Sequence, residues 1–103
     1  MATRILEFGG TGILGPGFDV VPMGQYVTKQ SAMTATGSSA RSAAVNAATS
    51  LILVQSDEAV YVEIDGTATP TATTDSYRLN AGGEQYFSIL PAQAGVAKVA
   101  IRT

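Results

Sequence analysis

Leu51-Ile52-Leu53-Val54-Gln55-Ser56-Asp57-Glu58-Ala59-Val60-Tyr61-Val62-Glu63-Ile64 is the stretch on which the fold turns. Two aliphatic runs flank the polar tetrapeptide Gln55-Ser56-Asp57-Glu58, and in the second run Val60, Val62 and Ile64 alternate with Tyr61, Glu63 and Asp65. A side-chain period of two sets one face against a core and the other against water. The stretch is therefore expected to form a β-hairpin with a four-residue connection, a length that hairpins commonly use.

Downstream, residues 66–74 read as a small-residue loop that Pro70 keeps out of any inner strand. Residues 77–79 are expected to pair with residues 85–90 across 80–84, and residues 91–95 to make the next turn. Residues 96–102 form the last strand, with Ala97, Val99 and Ile101 on one face and Lys98, Ala100 and Arg102 on the other. The inner faces are expected to hold Leu51, Leu53, Val60, Val62, Ile64, Phe87, Ile89, Val99 and Ile101. Ile52 and Val54 join them if their strand is covered on both sides.

Upstream, residues 3–8 are apolar and read as a strand or an extended arm. They run into Gly9-Gly10-Thr11-Gly12-Ile13-Leu14-Gly15-Pro16-Gly17, a stretch too rich in glycine, with a proline besides, to be a helix. Residues 18–22 continue as a short edge strand or as more of the arm, residues 25–36 are strand-like, and residues 37–40 are a turn. Residues 41–49 carry alanines that favour helix, but the piece is short and has no large apolar stripe, so it is read as extended. The expectation is an all-β chain: a single β-sandwich or barrel-like domain over residues 18–103, with a glycine-rich arm or loop over residues 1–17.

The 103 residues make one domain, with a core able to remove roughly 60–65% of the unfolded surface from water. Cysteine and histidine are absent, which rules out disulfide frameworks, thiolate zinc sites, Ser-His-Asp triads and imidazole bases. An enzyme is therefore the last reading, and no cofactor or metal is expected. Six basic residues stand against eight acidic ones, and Arg4, Lys29, Arg41, Arg78, Lys98 and Arg102 are scattered singly, so nucleic acid is not an expected partner. Only 14% of the residues are charged, and a surface of small, weakly polar residues suits a protein that lies flat against another, as it also suits an ordinary β domain. No run reaches the roughly 20 apolar residues of a membrane span. The first residues lack a signal-peptide layout, so synthesis in the cytoplasm is expected.

Gly10-Thr11-Gly12-Ile13-Leu14-Gly15 is a literal G-x-G-x-x-G. A dinucleotide needs the third glycine in the first turn of a helix, and Pro16-Gly17 would break that helix. Asp57-Glu58 and Glu63/Asp65 are the nearest approach to paired carboxylates, and both read as solvated surface. Tyr26, Tyr61, Tyr77 and Tyr86 read as half-buried side chains at sheet edges. Tyr61, on the polar side of its strand, has room for an interface role.

From residue 46 onward the order of features is similar to that of small tailed-bacteriophage proteins encoded beside the major capsid gene. The likeness lies in Ala47-Ala48-Thr49, an apolar strand, Tyr61-Val62, Pro70-Thr71-Ala72-Thr73, Leu79-Asn80-Ala81-Gly82, Glu84-Gln85-Tyr86-Phe87 and the final Val96-Ala97-Lys98-Val99-Ala100-Ile101. The resemblance implies a virion structural protein with a β-sandwich body: a capsid decoration, or cement, protein on the outer capsid surface. It would be grouped as a homotrimer and would bridge neighbouring major capsid protein subunits. On this expectation Ile5, Leu6, Phe8, Ile13, Leu14 and Phe18 of the arm pack on the shell or on a sister copy, and Tyr61 adds a contact from the body. The alternatives are another virion component, such as a head fibre, tail or connector protein, and a carbohydrate-binding β-sandwich that uses its tyrosines.

Overall fold

The structure, a computed structural model, describes residues 2–9, 12–13, 20–21 and 25–103. Its strands are β1 (Thr3–Gly9), β2 (Gly12–Ile13), β3 (Val20–Val21), β4 (Gln25–Lys29), β5 (Ala40–Arg41), β6 (Leu51–Ser56), β7 (Val60–Glu63), β8 (Tyr77–Leu79), β9 (Glu84–Ser88) and β10 (Ala100–Arg102). Sheet I has the order β4-β1-β6-β9, sheet II the order β5-β10-β7-β8, and β2 pairs with β3. All the pairings are antiparallel. The chain is all-β, as its sequence leads one to expect, and the two four-stranded sheets enclose the main core in the manner of a sandwich.

Neither expected hairpin forms. β6 and β7 follow one another in sequence but lie in different sheets, and so do β8 and β9. Each short connection is an arch from one sheet to the other. The cause is visible in β6, whose Leu51, Ile52, Leu53 and Val54 are all buried. A strand covered on both faces sits inside a sheet, and here β1 and β9 occupy both of its edges, leaving none for β7. The first arch is fastened to sheet I. Ser56 Oγ donates to the Glu58 carbonyl at 2.7 Å and is hydrogen-bonded to Thr3 Oγ1 at 3.1 Å. The second arch hangs on the first, since the Gly82 amide donates to the Ser56 carbonyl at 2.8 Å and the Ser56 amide to the Gly83 carbonyl at 3.1 Å. Gly82 takes a φ of 74°, which glycine alone adopts at no steric cost.

In the amino-terminal segment, residues 3–8 take the strand of the two readings, strand or extended arm. β1 is an interior strand of sheet I between β4 and β6, and Ile5 is fully buried in the main core. The β1–β4 ladder runs to Gly9 opposite Gln25, and beyond it Gly12 and Ile13 pair with Val21 and Val20. The glycine-rich stretch thus begins between two paired strands and is not a free terminus. At Gly9 a Cβ would collide with the Ala48 carbonyl oxygen and lie 2.9 Å from Val27 Cγ2, so the first glycine of the run is required by close backbone packing.

The main core joins Ile5, Ile52 and Val54 of sheet I to Val60, Val62, Leu79 and Ile101 of sheet II, with Val45, Ile89, Ala97 and Val99 closing it. The alternation of Ala97, Val99 and Ile101 holds, all three being fully buried. Leu51 and Leu53 face the other way, and Ile52 and Val54 take the inner positions. Truncating one of these core side chains costs about 2–5 kcal/mol. Beyond β5, residues 42–49 are extended, as read. The Ser42 and Val45 amides donate to the carbonyls of Val99 and Ala97 at 2.8 and 2.9 Å, which continues the β5–β10 contact without regular pairing.

Candidate functional site

Among the described residues one carboxyl group lies deep in the structure, at a position with no motif around it. Glu7 lies on β1 with Thr3 and Ile5 on the inward side and is 1% exposed. Its Oε1 accepts from the Asn46 amide and from Thr49 Oγ1, each at 2.7 Å, and its Oε2 accepts from Gln30 Nε2 at 3.1 Å. It lines a cleft of about 400 Å³ with Thr28, Lys29, Gln30, Arg41 and Ser42. Both oxygens are engaged in fastening β1 to the 46–49 turn and to residue 30, so the arrangement is a brace.

Asp57, Asp65, Asp75 and Glu84 sit in water, as the sequence leads one to expect of acidic residues, and Glu58 and Glu63 are half-buried. Asp57 is exposed, and the Arg4 guanidinium, at 3.0 Å, holds its carboxyl below the usual range with help from the Ala2 amide. The Thr67 hydroxyl and amide lower Asp65 in the same direction.

What remains are the two outer faces of the sandwich. On sheet I the outer side carries a second apolar cluster of Phe8, Leu51 and Leu53, with Leu6 and Tyr86 packed against it. The register makes the rows explicit: Leu6, Leu53 and Tyr86 stand side by side across three strands, and Phe8 stands next to Leu51 on one side and Tyr26 on the other. The Phe8 and Tyr26 rings meet edge to face at 5.8 Å, and Tyr26 is 53% exposed. Two rows along, Arg4, Gln55 and Glu84 make the same face polar, and Gln55 Nε2 donates to Glu84 Oε2 at 2.9 Å.

On sheet II the outer side carries Tyr61 directly between Arg102 of β10 and Arg78 of β8. The Arg78 guanidinium lies 5.6 Å from the Tyr61 ring centroid, and its Nη1 donates to the Tyr61 hydroxyl at 3.3 Å. The next row is Arg41, Ala100 and Glu63.

Of the residues expected at an interface, Leu6 and Phe8 therefore belong to the outer face of sheet I and Tyr61 to that of sheet II. Ile5 does not qualify, because it faces inward on the interior strand β1 and is enclosed by the chain's own core. Ile13 is a backbone partner of Val20, while Leu14 and Phe18 lie outside the described residues. Gly12 and Ile13 are in a strand, so the G-x-G-x-x-G does not open a helix there. Arg78 and Arg102 were legible only as scattered cations, since it takes the strand register to bring them to Tyr61.

No protein-family model matches the chain, and no curated protein or solved structure matches it.

Proposed function

We propose that the protein is a virion structural component that decorates a phage capsid and stabilises the head by bridging neighbouring shell subunits. The observation that carries this reading is the apolar outer face of sheet I. The side of a sheet turned away from its own core is ordinarily polar, whereas here Phe8, Leu51 and Leu53 form a cluster that the chain itself buries, and Tyr26, at 53% exposed, leaves with the half-buried Leu6 and Tyr86 an accessible apolar rim around it. Such a face fits another protein. A rigid all-β body, a low charge content and side-chain hydrogen bonds that brace loops to strands support a part that covers a surface and does not transform a substrate. The likeness of residues 46–103 to small phage decoration proteins supplies the identity of that surface.

The mechanism differs from that of a greasy free arm. Contact would be made by the accessible rim of the apolar cluster, Tyr26, Leu6 and Tyr86, and repeated at many equivalent copies, so that small gains per contact sum over the shell. Mass spectrometry of purified particles should find the chain in a fixed ratio to the shell protein. Tyr26→Asp, at an exposed position, should leave the circular dichroism spectrum unchanged and strip the chain from the particle. Particles that lack the chain, or that keep the variant at full occupancy, would refute the reading.

A further inference from the structure

The chain has four arginines, and the structure engages two of them. Arg4 is paired with Asp57. Arg41 donates from Nε to the Pro70 carbonyl at 2.7 Å and from Nη2 to the Thr69 carbonyl and Thr71 Oγ1 at 3.3 Å, which ties β5 to the 69–71 loop. Arg78 and Arg102 have no aspartate or glutamate partner among the described residues, and these two flank Tyr61 on the outer face of sheet II.

The Arg78 guanidinium is nevertheless held in place. Arg78 is fixed by the ring and hydroxyl of Tyr61, and Arg102 Nε donates to the Thr103 carbonyl at 3.2 Å. In each case further N–H donors have no partner among the described residues. Two planar forks on either side of one tyrosine suit planar anions, and the one held on the ring, Arg78, loses less side-chain entropy on binding than a free lysine. With neighbouring strands about 4.8 Å apart, the two Cα atoms are about 10 Å apart, and an extended chain sets its i and i+2 side chains on one face about 7 Å apart. Two carboxylates on such a chain fall within reach of both forks.

We propose that this face binds an acidic extended segment of a partner protein, with Arg78 and Arg102 each taking one carboxylate and Tyr61 filling the space between them. The inference deepens the reading of the chain as a protein-binding part and rests on it only for the partner being a protein. A nucleic-acid backbone fits less well. It needs a track of cations, and here Glu63 stands in the adjacent row while the ring face toward Arg78 is occupied and closed to base stacking.

The test is a titration of ¹⁵N-labelled protein with hexaglutamate at low salt, followed through the arginine Nε–Hε resonances. Saturable shifts of Arg78 and Arg102, with Arg4 and Arg41 unmoved, are expected. The double variant Arg78→Gln/Arg102→Gln, both on the surface, should keep its amide spectrum and bind at least tenfold more weakly. The inference is overturned if no resonance moves, if the double variant binds as the parent does, or if inorganic phosphate or oligothymidylate shifts the same resonances at equal concentration as strongly as the peptide. Peptide binding by a chain that is missing from purified particles would sink the capsid assignment and leave this face intact.

Discussion

Replacing Glu7 by alanine removes one acceptor from three donors at once. The Asn46 amide and the Thr49 hydroxyl stand 2.7 Å from Oε1, and Gln30 Nε2 stands 3.1 Å from Oε2. Thr49 is 2% exposed, so water has little access to its hydroxyl. A buried donor left without a partner costs about 1–3 kcal/mol. The Thr49 hydroxyl is the one such donor, and the Asn46 and Gln30 bonds, both only partly buried, add less because water can reach their donors. Relief of the carboxylate's own burial offsets part of this, which leaves a net loss of about 2 kcal/mol, a sizeable fraction of the roughly 5–15 kcal/mol that holds a domain together. Glu7→Gln keeps an oxygen where Oε1 sits and asks only that Gln30 rotate its amide to present an oxygen, so about 1 kcal/mol is expected. Urea unfolding read by far-ultraviolet circular dichroism measures both, with an unchanged m-value as the check that the denatured state is the same. If alanine costs under about 1 kcal/mol, or if glutamine costs as much as alanine, Glu7 is not the brace described.

Gly9→Ala meets the Ala48 carbonyl and Val27 and should lose about 1–3 kcal/mol, in the range of overpacked cores. Gly37→Ala, with nothing near its Cβ, should be neutral or slightly stabilising, and a pair of thermal melts compares the two directly. Ile5→Ala should cost about 2–5 kcal/mol, and deletion of residues 1–9 should unfold the body, because β1 is interior to sheet I; a folded truncated protein by NMR would contradict that placement. Arg4 and the Ala2 amide hold Asp57 below its ordinary value of 3.8. A lowered folded-state pKa means that the stabilisation is present above that value and is lost as the pH falls through the folded one. The Asp57→Asn variant should therefore lose less stability than the parent on acidification below about pH 4, and added salt should shrink the difference, since both partners are exposed.

The strand character of the chain could be read residue by residue. The alternations Val60/Val62 and Ala97/Val99/Ile101 name the inward side correctly because the period of an extended chain is a local property, although of the expected strand over 96–102 only Ala100–Arg102 is paired as one. Partner choice is not local. Gln55-Ser56-Asp57-Glu58 and Asn80-Ala81-Gly82-Gly83-Glu84 serve an arch as well as a hairpin, and what decides between them is that β1 and β9 already border β6. The unbroken run Leu51 to Val54 held the clue, because a strand apolar on both sides needs two flanking strands. Glu7 was illegible for a related reason. A glutamate beside an apolar residue looks solvated until Asn46 and Thr49 arrive from 39 and 42 positions away.

The arches also explain why the molecule presents two chemically different sides. Had β6 and β7 formed a hairpin, Leu53 and Tyr61 would belong to one sheet, and apolar and cationic groups would be mixed along it. Because each connection crosses the sandwich, β6 and β9 send Leu51, Leu53 and Tyr86 to the outside of sheet I, while β7 and β8 send Tyr61 and Arg78 to the outside of sheet II. The Ser56, Gly82 and Gly83 hydrogen bonds lock one arch to the other, and the sheets stay about 10 Å apart. On the proposed reading, one partner can then be taken by burial of apolar area and a second by charge, on opposite sides of a stiff spacer. A subunit bridge needs that arrangement, and a part that docks on a single surface does not.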